Sequence, residues 1–215
     1  MPALIDVPLD VNSGFREQPT SRQLHGAVSR ALGADEGEHR AATKPFSVWP
    51  LYTAADVPGQ LRLRINWLLP EPPPARLLQR GRTWRIGRLS ARSMAPEVNE
   101  KAYAHLASTP GADRVALEVH TPTYFKRSDR SFPMPDPFLV YGGLIERWNL
   151  FATAFPIDKD ARRVLLGALE ITDFDIRRER MLADRRRRSD TPAESWRLGF
   201  VGTVEVSLDR RAPYW

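Results

Sequence analysis

Apolar residues in this chain recur at two spacings, and the switches between them mark its elements. Residues 3–11 hold Leu4, Val7, Leu9 and Val11 as the apolar members of a predicted strand. Pro19-Thr20-Ser21 then offers a helix start. Leu24, Ala27, Val28, Ala31 and Leu32 follow at helical spacing as one apolar face, with Gly33 as the stop. Two strands are predicted next, Phe46 to Tyr52 and Leu61 to Leu69. In the second, Leu61, Leu63, Ile65 and Trp67 alternate with Arg62, Arg64 and Asn66, as on a half-buried sheet. The run Pro70-Glu71-Pro72-Pro73-Pro74 breaks the chain, and a short helix over 75–80 and a fourth strand over 84–92 follow it. Strand, helix, strand, strand, helix, strand is the ferredoxin-like order.

A second pass begins near Asp113. Val115, Leu117 and Val119 alternate as a strand, and Thr121 to Pro135 reads as an aromatic, basic and proline-rich loop. Asp136-Pro137 supplies an N-cap and a first-turn proline for a helix over 137–152, with Leu144, Ile145, Trp148 and Phe151 as its core face. Residues 158–170 read as helical, Ile171 to Met181 as a strand, and Phe200 to Leu208 as another. The second half thus repeats strand, helix, strand, strand. The expectation is an α+β protein of two domains, residues 1–110 and 111–215, repeated in architecture but not in sequence.

Charge narrows the choice of partner. The formal net charge is +6, which favours a polyanion: nucleic acid first, an anionic membrane surface second. Only Lys44, Lys101, Lys126 and Lys159 among the 32 basic residues are lysines. Arginine forks onto phosphate and stacks on bases, which suits RNA, although a GC-rich genome would give the same skew. The absence of cysteine excludes disulfides, thiolate nucleophiles and thiolate metal ligands. The start, MPALIDVPLDV, lacks the features of a signal peptide, and no window approaches the ~20 apolar residues of a membrane span. A cytoplasmic protein without a membrane partner is expected.

Four segments, in order, carry a more specific pattern: KPFSVWPL (44–51), RIGRLSARS (85–93), TPTYFKRSDRSFPMPDPFLVYGGLIERWNLF (121–151) and GFVGTVEV (199–206). The third joins Pro122-Thr123-Tyr124-Phe125-Lys126 to Pro133-Met134-Pro135-Asp136-Pro137 and then to a helix ending in Arg147-Trp148-Asn149. In these segments the chain resembles the CRISPR-associated endoribonucleases that process precursor RNA, over roughly three quarters of its length. The resemblance implies tandem ferredoxin-like (RAMP) domains that hold CRISPR repeat RNA. It also implies cleavage without metal or other cofactor, in which a 2′-hydroxyl attacks the adjacent phosphate and leaves 2′,3′-cyclic phosphate and 5′-hydroxyl ends. The alternative is a non-catalytic RNA-binding relative or a structural subunit of a CRISPR effector complex, with other effector subunits as partners. Two departures stand out. The family closes with a helix, a glycine-rich loop and a strand, so this chain reads as a shortened member whose second domain lacks all three. Its open sheet edge would be liable to homodimerisation. The other departure is Trp49, where many relatives carry a small hydroxyl residue.

Such a reaction needs a base near the 2′-hydroxyl, an acid near the leaving oxygen and positive charge on the phosphate. Histidine suits the first two roles, and the chain has His25, His39, His105 and His120. The resemblance implies His39 as the catalytic histidine, with Lys44 on the phosphate; otherwise His39 is an exposed loop residue. His25, in a Leu24-His25 pair on the first predicted helix, is the rival, or else a plain helix-flank histidine. His120 is expected to face away from the core, and His105 has no supporting pattern. Aromatics and cations interleave from Tyr124 to Phe132, where Lys126, Arg127 and Arg130 are the expected RNA contacts and Phe125 and Phe132 are expected to pack inward. Arg186 and Arg187, within the run 185–188, are further RNA-binding candidates, or part of a solvated connection. Asp173 and Asp175 read as exposed strand carboxylates rather than a metal pair, and Gly199 and Gly202 as structural glycines.

Overall fold

The computed structural model describes residues 1–11, 18–33, 43–53, 60–127, 130–182 and 196–209. The chain forms two compact units, Met1–Thr109 and Pro110–Trp215. In the first, the alternation along residues 3–11 becomes β1 (Ala3–Val11). Ala3, Ile5, Val7 and Leu9 point into the core. Leu4 was expected among them, but it falls on the opposite parity of the strand and lies 36% exposed.

α1 (Ser21–Leu32) starts at a reciprocal capping box. Thr20 accepts the Gln23 N–H through its hydroxyl, and the Gln23 side chain accepts the Thr20 N–H at 2.8 Å. The helix stops at Gly33, whose φ of 65° is the left-handed turn that ends helices. Leu24, Ala27, Val28 and Ala31 lie buried against the sheet. The predicted strand 46–52 is broken into β2 (Phe46–Val48) and β3 (Tyr52–Thr53), with Pro50 between them; both pair with β4 (Leu61–Trp67). Leu63 and Ile65 are fully buried.

Beyond the proline run the expected helix is only a 3-10 turn over Ala75–Leu77. The expected fourth strand is a hairpin, β5 (Thr83–Ile86) and β6 (Leu89–Ser93), turned at Gly87. β7 (Glu97–Glu100) and the short α2 (Tyr103–Ala107) follow. The sheet runs β2-β4-β1-β6-β5, all antiparallel, with β7 also on β1. β1 thus sits between β4 and the β6/β7 side, as the first strand of a ferredoxin-like unit does.

The second unit repeats the plan. β8 (Arg114–Thr123), β11 (Leu169–Leu182) and β12 (Trp196–Leu208) form a sheet in the order β11-β12-β8. Among the described residues β8 pairs on one side only. The expected loop 121–135 is partly ordered as a second hairpin, β9 (Phe125–Arg127) and β10 (Arg130–Phe132).

α3 (Pro137–Phe151) is capped by Asp136, which accepts the Leu139 N–H at 3.2 Å. α4 (Lys159–Gly167) is capped by Asp158. Asn149 joins the two helices, its amide exchanging hydrogen bonds of 2.8 Å with the Ile157 backbone. Ile145 is buried as expected, but Leu144 is 52% exposed. α3 is apolar on more than one face. Its buried positions are Gly142 and Ile145, and Leu144 instead turns to an apolar cleft of about 410 Å³ that it lines with Val140, Leu117 and Phe200. No helix among the described residues is long and apolar enough to cross a membrane.

Gly202 explains itself sterically. Its φ is 126°, and a Cβ there would meet the Asp175 carbonyl oxygen at 2.1 Å. Gly199 is similarly crowded by the Thr123 backbone at 2.8 Å. Both are close-approach glycines within the sheet, in keeping with their reading as structural glycines.

Candidate functional site

In the first unit a buried phenyl ring collects polar groups from two segments. His25 and Ser29 are four residues apart on α1 and so share one flank of the helix, beside the apolar face of Leu24 and Val28. Phe46, at the start of β2, is 2% exposed. The His25 ring lies against it, 5.6 Å between centroids and tilted by 32°. The Lys44 ammonium stands 5.9 Å from the same ring and donates a hydrogen bond to Ser29 Oγ at 3.2 Å.

An imidazole able to move protons near neutrality and an ammonium able to meet a phosphate are therefore held around one ring. Ser29 is itself buried, so its hydroxyl fixes the ammonium rather than competing for solvent. Sequence reading missed Ser29; its signal was the four-residue spacing from His25 on the same helix. His39 falls in 34–42, outside the described residues.

The basic hairpin belongs to the second unit. Lys126 and Arg130 are exposed, and the register sets Arg130 opposite Arg127 and Ser131 opposite Lys126. Phe125 packs inward on Phe200, 6.1 Å between centroids, as expected. Arg197 enters from β12: its guanidinium lies 5.1 Å from the Tyr124 ring centroid and donates to the Tyr124 hydroxyl. Nothing in the local pattern pointed to Arg197, because its partner lies 73 residues away. Arg186 and Arg187 lie outside the described residues.

The remaining candidates lie on other elements. His120 is about half exposed and sits 3.3 Å from Glu118, while His105 lies on an exposed position of α2. Asp173 and Asp175 are exposed, and among the described residues no three His, Asp or Glu side chains gather in a metal-binding group.

The comparisons with known proteins bear on the family and the fold. Residues 117–214 match the family model of the CRISPR-associated endoribonuclease Cas6. No curated protein matches. Among solved structures, a Cas6 product complex shares 23% identity at a TM-score of 0.71, over 97% of this chain and 84% of that one. A Cas6 complex with a substrate mimic shares 25% at 0.68, over 97% and 84%. Thermus thermophilus Cas6 shares 24% at 0.63, over 97% and 83%. The fold is that of the tandem ferredoxin-like RAMP proteins.

Proposed function

We propose, from the match of residues 117–214 to the Cas6 family model and the likeness of the fold to Cas6 structures, that this chain binds CRISPR repeat RNA and cleaves it within the repeat. The observation that carries the chemical reading is the gathering of His25, Lys44 and Ser29 around Phe46. A phosphodiester laid there would meet the Lys44 ammonium. A histidine, His39 or His25, takes the proton of the 2′-hydroxyl as that oxygen attacks phosphorus. The bond from phosphorus to the 5′-oxygen breaks, the departing oxygen takes up a proton, and the products are a 2′,3′-cyclic phosphate and a 5′-hydroxyl. Lys44 stabilises the extra negative charge of the pentacoordinate phosphorane. None of these steps requires a bound metal.

The test is incubation with a cognate repeat RNA in excess EDTA, followed by end-group analysis. Cyclic phosphate and 5′-hydroxyl ends are expected. Cleavage that needs added magnesium and leaves a 5′-phosphate would overturn the chemistry. Tight binding without cleavage would instead identify a non-catalytic RNA-binding relative.

Binding itself carries a separate expectation from Lys126, Arg127 and Arg130 on the second unit's hairpin and from Arg186 and Arg187. On single-stranded RNA, log affinity should fall with log salt by ~0.7 for each phosphate contacted. The double substitution Lys126→Ala, Arg130→Ala should therefore flatten that slope by ~1.4. Filter binding at several salt concentrations measures it, and an unchanged slope would remove the hairpin from the interface.

A further inference from the structure

Leu4 lies on the face of the first unit's sheet that turns away from α1, and its cross-strand neighbours there are polar. It stands in register with Asn66 on β4 and with Asn99 on β7, and Asn66 in turn with Ser47 on β2. Residues opposite one another in antiparallel strands share a face, so Asn99, Leu4, Asn66 and Ser47 make one row across four strands. The residues beside them along the strands, Ala3, Ile5, Ile65, Trp67 and Phe46, are buried. Leu4, Asn66 and Asn99 line a hollow of about 390 Å³, together with Leu68, Lys101 and Leu106. Two bonds fix its wall. The Lys101 N–H donates to the Pro2 carbonyl at 3.1 Å, and the Tyr103 hydroxyl donates to the Leu68 carbonyl.

The chemistry of the lining sets what it can recognise. Leu4, Leu68 and Leu106 offer apolar surface, and the volume is that of a small-ligand pocket, too small for a duplex. Asn66 spends one amide hydrogen on Ser47 Oγ at 2.9 Å, which fixes its plane and leaves its other hydrogen and its oxygen for a ligand. Asn99 is exposed on the far side of Leu4. The two asparagines stand two strand spacings apart, about 10 Å, which leaves the width of one base between their carboxamides. A carboxamide sets a donor beside an acceptor and so pairs with a base edge of the same pattern. Adenine carries that pattern on both edges, because each hydrogen of its 6-amino group stands beside a ring nitrogen. In a duplex one of those edges is taken. Lys101, exposed at the rim, supplies a positive charge for the phosphate.

We propose that this hollow holds one unpaired adenine nucleotide of the bound RNA, with Asn66 and Asn99 reading the edges of the base and Lys101 meeting its phosphate. Leu4 is the apolar floor of that site, which gives an exposed leucine on a polar sheet face a task. The site lies across the sheet from α1 and so is separate from the groups on Phe46.

This inference rests on the RNA-binding reading, and the experiment separates the two. The full chain and its Asn66→Ala, Asn99→Ala double variant are titrated with an RNA octamer of adenosines and with an octamer of purine riboside, which lacks the 6-amino group on the same backbone. The wild type should prefer the adenosine octamer by roughly 10-fold, the weight of one bidentate base contact. The double variant should lose that preference while its affinity for the purine riboside octamer stays unchanged, which also shows that it folds. The single variant Asn99→Ala, at an exposed position, should lose part of the preference. Lys101→Ala should weaken both octamers alike and flatten the salt slope by ~0.7. No preference in the wild type, a preference that survives in the double variant, or an equal loss on both octamers would overturn the adenine site while leaving RNA binding intact. A wild type that binds neither octamer would overturn both.

Discussion

His39→Ala slows cleavage of a cognate repeat by about 10²–10⁴-fold if His39 is the base, the usual weight of one acid–base group. Its affinity for RNA changes little, because a neutral imidazole makes few phosphate contacts. His25→Ala is the rival on the same substrate. The structure strengthens the case for testing it, since His25 lies half-buried on Phe46 within the group that holds Lys44. Lys44→Ala should lower both rate and affinity, because a cation on the phosphate acts in ground and transition states alike. Single-turnover rates and equilibrium binding, measured together, sort the three variants. A large rate loss in His25→Ala with an active His39→Ala moves the base onto α1. If all three cleave like the wild type, the groups on Phe46 have no part in the reaction.

Gly202→Ala should destabilise the second unit by roughly 2–5 kcal/mol, combining a strained backbone with an overpacked contact. The added Cβ would collide with the Asp175 carbonyl of the neighbouring strand at 2.1 Å, and backbone does not yield as a flexible side chain would. The φ of 126° adds strain that alanine, unlike glycine, cannot relieve. Gly143→Ala is the internal control. It lies in α3, where an added Cβ would meet nothing within 4 Å, so alanine there should be neutral or stabilising by up to ~1 kcal/mol. Urea unfolding monitored by circular dichroism distinguishes the two. Equal midpoints for Gly202→Ala and the wild type would mean that β11 and β12 do not pair in the register Ile176 to Gly202.

What the sequence determined by itself is what depends on neighbours a few residues away. The helix start at Pro19-Thr20-Ser21, the Gly33 stop, the Asp136-Pro137 start of α3 and the alternation along β4 all follow from local spacing, and all stand in the fold. The resemblance carried by the segment 121–151 worked for the same reason, since its residues lie in one stretch. Local pattern failed where two answers cost nearly the same. Leu4 and Ile5 are both apolar, and only the pairing of β1 with β4 chooses which parity is buried. Residues 84–92 suit one strand or two, and the turn at Gly87 divides them. The functional groups were legible only one residue at a time. His25 and Lys44 could be named from chemistry, but their meeting on Phe46, and the part of Ser29, required β2 to dock beside α1. Arg64 looked like one exposed cation in an alternating strand, and only the strand register sets it between two aromatic rings and a buried carboxylate. Such contacts join residues 12 to 58 positions apart, a distance at which no periodicity survives, so their geometry belongs to the tertiary structure alone.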